Sequence, residues 1–296
     1  MLVLPALWSL LMLCVSLFAR RGAAAWAAAA VLGAYATAHV GLFGWPTWPP
    51  SPGRHGVVFA GVVGLVGGAA IGVMRGGWPV WLVRVGCAAV GLGLVGWKRF
   101  AVEREWTLSE AASWPAMALS VAMMWWLLDG LSRRRAGGDR PDLAANDAPA
   151  RPERVGAWGV ASAVIGMSAA FVVIVGAAMG EGQSLGALAV ALLAGAGVAV
   201  FGVRAELGAM GTGAAVMIAS AMWWSVVMWA ELPWWMAAGF GVAPLAACVG
   251  EAPIVRGWAP WARALMRVAA VSAVMAAVGG PSAVRELMTH SSEYGM

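Results

Sequence analysis

The chain is short of charge. Only 11% of its 296 residues are Asp, Glu, Lys or Arg, whereas 61% are hydrophobic. Soluble domains carry roughly a quarter of their residues as charged side chains. So few charges cannot give a water-facing surface to apolar runs that recur from end to end of the chain. The composition therefore predicts an all-α fold: a polytopic helix bundle that is integral to a membrane.

Cysteine and lysine are scarce as well. Cys14, Cys87 and Cys248 lie singly in apolar runs, and no C-x-x-C arrangement supports a metal or redox centre. Lys98 is the only lysine, so the net charge of +5 rests on arginine. These arginines sit in short loops between apolar runs, where they orient helices, and we expect no nucleic-acid partner.

What the chain has in abundance is long apolar segments. At roughly 20 residues per span, its length allows about ten transmembrane helices. The candidate spans cover residues 2–18, 22–43, 57–74, 78–97, 114–131, 157–179, 185–203, 207–229, 234–250 and 260–278. This divides the chain into an N-terminal membrane half (1–132), a hydrophilic linker (133–156), a C-terminal membrane half (157–280) and a polar tail (281–296).

The positive charges favour one orientation of these spans. Placing the arginine-rich linker in the cytoplasm puts eleven Arg or Lys residues on that side and five on the other; three more lie within spans. Because cytoplasmic loops are enriched in Arg and Lys, this orientation is the expected one. It places both termini on the non-cytoplasmic side, and we expect the membrane to be a bacterial inner membrane.

Two arginines within spans are the candidate binding residues. Arg84 lies about two turns into the fourth span, and Arg267 holds the equivalent place in the tenth. Ionisable residues at membrane depth often mark a functional site, so this pair is a candidate polar site for an anionic group. Snorkelling of both long side chains to the cytoplasmic headgroups is the simpler expectation.

Acidic residues within the spans are few and lie near span ends. Asp129 is expected to pair with Arg133 four residues on, and Glu251 with Arg256 or Arg263. No span carries an acid near its middle. Proton-coupled and sodium-coupled transport normally needs such a group, which disfavours both.

No catalytic or metal-binding constellation emerges. His39 and His55 would meet on the outer side, together with Tyr35, but two histidines near span ends are a weak basis for a metal or haem site. The G-x-S-x-G match at residues 182–186 falls in a short loop between spans instead of a strand–helix turn. We therefore expect no enzyme, no catalytic residue, no metal and no cofactor.

Tryptophan and glycine describe how the bundle is assembled. Many of the 19 tryptophans fall near span ends, as in an interfacial aromatic belt. The repeated Met-Trp-Trp motifs lie inside spans, and their tryptophans are Trp125, Trp126, Trp223 and Trp224. These tryptophans are candidate contacts for an apolar or aromatic ligand. Ordinary packing is the simpler interpretation. Gly64, Gly68 and Gly72 recur every four residues, which predicts a face for close helix approach.

One internal similarity adds to this pattern. Residues 75–81 and 256–261 share a Trp/Pro/Arg pattern, each in a tight turn between two spans, as a duplicated hairpin would. From these features we predict a transporter or channel for a small or amphipathic solute. The alternative is a non-catalytic accessory subunit of a larger membrane complex. The expected partners are the lipid bilayer and, in the second case, other membrane subunits.

Overall fold

A computed structural model describes residues 23–50, 53–74, 76–103, 108–133, 208–229, 239, 243–255, 257–259, 262–263 and 265–278. All regular structure in these ranges is helical, as the composition predicts. The α-helices are α1 (Ala23–Phe43), α2 (Gly53–Val73), α3 (Trp78–Val95), α4 (Leu108–Arg133), α5 (Gly208–Trp229) and α6 (Leu265–Val278). A π-helical turn (Lys98–Glu103) precedes α4, and a 3₁₀ helix (Ala243–Glu251) precedes α6.

Helices α2, α3 and α4 run antiparallel to their neighbours in sequence. Gly56 near the start of α2 lies against Val95 at the end of α3. Gly76 and Gly77 connect these two helices with φ angles of 94° and 86°, in the left-handed region that favours glycine. Pro79 then sits in the first turn of α3, where its missing N–H costs no hydrogen bond. Two glycines and a proline thus explain the sharp reversal.

Helix α5 is the centre of the described bundle. It contacts α1, α2, α3 and α4, and every residue from 211 to 225 is buried. A helix that is apolar all round is expected in such a position, because it has no face to offer to water. Helices α1, α2, α3 and α4 therefore form a layer around α5.

Glycine allows α2 and α5 to approach each other closely. A Cβ added to Gly64 would strike the carbonyl oxygen of Gly213, and one added to Gly68 would strike that of Ala209. The predicted glycine face is confirmed at these two positions, where backbone meets backbone. Gly72, the third member, has open space around its Cα and takes no part in the contact.

Two of the described helices are long and apolar enough to cross a membrane: residues Arg54–Val73 of α2 and Trp78–Val95 of α3. Their segments agree with the predicted third and fourth spans. The predicted bundle of about ten spans is not established by the described residues. The last part of the predicted ninth span is the 3₁₀ helix Ala243–Glu251, where Pro244 follows the first residue. The first, sixth and seventh spans, the linker and the tail lie outside the described residues.

The outer faces of three helices are apolar. The side chains exposed there recur at helical spacing and are Val62, Val66 and Val73 on α2, Leu82 and Val90 on α3, and Leu119, Met123 and Trp126 on α4. Such continuous apolar stripes are uncommon on monomeric proteins in water. They leave each of these helices with one face toward the bundle and one apolar face toward its surroundings.

Candidate functional site

A charged pair lies inside this apolar bundle, between α3 and α4. The Nη2 of Arg84 donates a hydrogen bond to Oδ2 of Asp129 over 2.7 Å. The two side chains are only 5% and 4% exposed. Charges buried to this degree are stable only when paired, because each loses its hydration on folding. Charge-assisted hydrogen bonds of this length are among the stronger ones in proteins.

The antiparallel arrangement of α3 and α4 brings these two groups together. Gly93 near the end of α3 lies against Trp114 near the start of α4, so the first turns of α3 face the last turns of α4. Arg84 is six residues after Trp78, about 9 Å along the helix axis. Asp129 is four residues before Arg133, about 6 Å from the end of α4. The pair therefore lies at one shared depth.

The simpler sequence expectation for Arg84 is wrong. Arg84 does not extend to the headgroups but is buried and bound to Asp129, and Asp129 pairs across the helices with Arg84. The i, i+4 rule considers one helix at a time and cannot see a partner on a neighbouring helix. The sequence contained the complementary charges, but only the packing of α3 on α4 placed them together.

An aromatic pair covers the charged pair on the outer side. The indoles of Trp81 and Trp126 stack with ring centres 6.1 Å apart at an interplanar angle of 30°. The guanidinium carbon of Arg84 lies 5.9 Å from the centre of the Trp81 ring, within cation–π range. Trp81 and Trp126 are 37% and 51% exposed, so the aromatic pair is accessible while the ions are not.

The other in-span tryptophans are buried. Trp125 packs between Gly67 of α2 and Gly213 of α5, each of which makes room for its ring. Trp223 and Trp224 are also buried, on α5. No hydrogen-bond partner for the indole nitrogens of Trp125 and Trp224 occurs among the described residues. The structure thus separates the four candidates: three belong to the core, and Trp126 alone lies at the surface.

Arg267 lies in a different environment from Arg84. It is 1% exposed in α6, and its side chain packs against Gly250 of the 3₁₀ helix. A Cβ at position 250 would meet the Arg267 side chain, so the glycine leaves room for this approach. Both candidate arginines are thus buried, and the snorkelling expected for Arg267 is wrong as well.

A second polar cluster lies at the opposite end of α2. His39 of α1 and His55 of α2 meet edge to face, with ring centres 5.3 Å apart. The backbone N–H of Thr47 donates to Nδ1 of His55 over 3.2 Å. His39 is fully buried, and its ring nitrogens find no partner among the described residues. Within the described ranges, no three His, Cys, Asp or Glu side chains are grouped to hold a metal ion.

Comparison of the chain with protein-family models, curated proteins and solved structures gives no match. The physical chemistry of the described residues therefore carries the functional argument.

Proposed function

We propose that this protein is an integral membrane transporter or channel for a small or amphipathic solute, built as a bundle of about ten helices. The single observation that carries the proposal is the Arg84–Asp129 ion pair, buried between two helices of a largely apolar bundle. In this proposal the bundle lies in lipid, and the ion pair inside it serves a purpose other than folding.

The outward apolar stripes support insertion into a bilayer. Helices α2 and α3 each reach about 30 Å at 1.5 Å per residue, close to the thickness of the hydrocarbon core. Val66 is 60% exposed near the middle of the outer face of α2, and Val90 is 55% exposed on α3. In water these surfaces would favour aggregation, whereas in lipid they are matched to their solvent.

The buried ion pair supports a function at this position. A buried pair adds little net stability, because the cost of desolvating both charges offsets most of their attraction. In a bundle that already packs glycine against glycine, a pair of apolar residues would hold α3 and α4 together at least as well. Charged residues at membrane depth commonly mark pathways for polar solutes.

The accessory-subunit alternative is favoured by a different observation. The same apolar stripes on α2, α3 and α4 would fit a partner membrane protein as well as they fit lipid chains. In that case the ion pair would position helices within a larger assembly, and no solute would pass.

A permeability assay tests the proposal. The purified protein is reconstituted into proteoliposomes, and swelling in isosmotic benzoate, hexanoate, glycerol and tetraethylammonium chloride is followed by light scattering. We expect protein-dependent swelling with at least one solute and its loss in the charge-free variant Arg84→Gln/Asp129→Asn. A protein that is folded but impermeable to all four solutes, and that co-purifies with a stoichiometric polypeptide, would contradict transport and support the accessory subunit.

A further inference from the structure

We infer that the surface formed by Trp81 and Trp126, with Arg84 and Asp129 behind it, binds an amphipathic carboxylate with a planar aromatic body. We call this surface and the ion pair behind it the α3–α4 site. The inference rests on the proposed function in that it names the substrate class of the same site, but the binding it predicts can be measured without any flux.

The first step is the spacing of the four residues. Trp81 and Arg84 are three residues apart on α3, and Trp126 and Asp129 are three residues apart on α4. Residues at this spacing lie on the same side of a helix, one turn apart. Because α3 and α4 are antiparallel, Trp81 and Trp126 are displaced from the ion pair in opposite directions along the bundle, and their rings meet at the surface. The two helices therefore present one composite surface, with an exposed aromatic layer formed by the two indoles and a buried charged layer formed by Arg84 and Asp129. A ligand that matches both layers must carry an apolar ring next to an ionised group.

The second step is the exposure of each layer. The indoles are partly exposed and stacked on each other, and Trp126, at 51% exposure, leaves surface available for contact with a further ring. The charged layer is almost fully buried behind them. Offset stacking on an indole suits a planar ring. An aromatic body at the surface would thus bring its acidic group next to the buried ions.

The third step is depth, which selects a carboxylate over a phospholipid headgroup. Arg84 lies about 9 Å along α3 from its first residue, which places the guanidinium on the hydrocarbon side of the interface. Phosphates of the surrounding lipids remain in the headgroup layer. A small amphipathic acid can place its carboxylate deeper, because it carries no bulky polar headgroup.

The fourth step is the chemistry of the existing partner. Asp129 already offers Arg84 a carboxylate oxygen at 2.7 Å, so the site is shaped for that group. A ligand carboxylate has the same geometry and competes with Asp129 for the guanidinium. Asp129 then acts as a built-in competitor, which keeps Arg84 neutralised when no ligand is bound. This predicts an unusual sign: removing the aspartate charge strengthens ligand binding.

The experiment measures binding of 2-naphthoate by isothermal titration calorimetry, with the full chain in phosphatidylcholine nanodiscs. Two matched probes separate the layers: 2-naphthalenemethanol has the ring without the charge, and cyclohexanecarboxylate has the charge without the aromatic ring. We expect 2-naphthoate to bind at least tenfold more tightly than either, since charge-assisted hydrogen bonding and stacking each contribute severalfold.

Variants test the assignment to these residues. Asp129→Asn should bind 2-naphthoate about tenfold more tightly, and Arg84→Gln/Asp129→Asn at least tenfold more weakly. Trp126→Leu should weaken binding about threefold to tenfold, because it removes the stacking surface. Trp45→Leu is the matched control: Trp45 is 81% exposed at the opposite end of α2, and its loss should leave binding unchanged. Trp126 and Trp45 are both exposed, so neither variant creates a cavity in the core.

Four results would overturn the inference. They are equal binding of the three probes, unchanged or weaker binding in a folded Asp129→Asn variant, an equal effect of Trp45→Leu and Trp126→Leu, and complete displacement of 2-naphthoate by phosphatidylglycerol, which would show an anionic-lipid site. If Asp129→Asn does not fold, the comparison of the three probes and the comparison of Trp126→Leu with Trp45→Leu still test the inference. The binding test can fail while the liposomes still show swelling that requires the ion pair. That combination would support transport and refute only this substrate class.

Discussion

At the scale of single residues, the helix contacts depend on the absence of side chains. Gly64 of α2 and Gly213 of α5 each lie against the other's carbonyl oxygen, and Gly213 also makes room for the ring of Trp125. Backbone cannot move aside as a flexible side chain can. Any substituent at these positions must therefore push two helices apart, at the centre of the bundle where α5 is surrounded.

Gly64 and Gly72 offer a matched pair on one helix. Gly64→Ala places a methyl group against backbone, and we expect a loss of about 1–3 kcal/mol in the free energy of unfolding from overpacking. Gly72→Ala meets nothing within 4 Å and should be neutral, or stabilise by up to about 1 kcal/mol through the higher helix propensity of alanine. Thermal unfolding of both variants in detergent, followed by circular dichroism, measures the difference. Equal midpoints would contradict the α2–α5 contact.

The charged pair combines one residue that is conspicuous in the sequence with a contact that the sequence does not reveal. Arg84 stood out from the sequence because arginine is rare within an apolar span, and that signal was sufficient to select it as a candidate. For Asp129 the sequence predicts a pair with Arg133, because local pairing is the only kind that sequence spacing reveals. The contact of Asp129 with Arg84, 45 residues away, depends on the register of α3 against α4.

At the scale of elements, helix α2 has two apolar faces that differ in residue size. The inner face of α2 carries Gly64 and Gly68, which meet α5 closely, whereas its outer face carries Val62 and Val66. Small residues toward the bundle and branched residues outward are typical of helices packed in lipid, where close approach and van der Waals contact replace the hydrophobic driving force. Hydropathy alone does not distinguish these faces.

The outer face of α2 provides a test of the surrounding solvent. Val66→Lys places a charge near the middle of a helix that we propose to span the bilayer, and it should cost about 2.5–3.5 kcal/mol. Val73→Lys, at the end of the same helix and 84% exposed, should be tolerated because lysine can reach the interface there. The measurement is the yield of folded protein in the membrane fraction. If Val66→Lys and Val73→Lys accumulate equally, α2 faces water.

At the scale of the whole molecule, the two ends of α2 carry different polar features. The loop that precedes it contains exposed Trp45 and Trp48, and the His39–His55 contact lies beside that loop. The turn that follows it contains Gly76 and Gly77, and the α3–α4 site lies at this end. In a spanning bundle, these ends would face opposite compartments.

Labelling from one side tests this orientation. With Cys14, Cys87 and Cys248 replaced by alanine, single cysteines are introduced as Trp45→Cys and Trp78→Cys; the replaced tryptophans are 81% and 71% exposed. The positive-inside rule places the turn beside Arg75 in the cytoplasm. A membrane-impermeant maleimide added to intact cells should therefore label Trp45→Cys at once and Trp78→Cys only after the membrane is disrupted. The reverse order would invert the topology, and labelling of both would refute a crossing by α2.

Several properties of the protein followed from its sequence by itself. Composition and the length of the apolar runs were enough to predict an all-helical chain and the positions of α2 and α3, because both depend on local hydrophobicity and on turn formers such as Gly76 and Gly77. The glycine spacing on α2 predicted a close helix contact, since side-chain size at every fourth position acts locally on one face.

The tertiary structure alone decided which groups meet. It selected α5 as the partner of Gly64, placed Trp125 in the core and Trp126 at the surface although they are adjacent, and joined Arg84 to Asp129 across two helices. Periodicity states which residues share a face of one helix, but it does not contain the rotation and register of that helix against its neighbours. Packing over the whole bundle sets the rotation and the register. They determine whether a charged side chain near the end of a span extends to the headgroups or pairs with a residue inside the bundle.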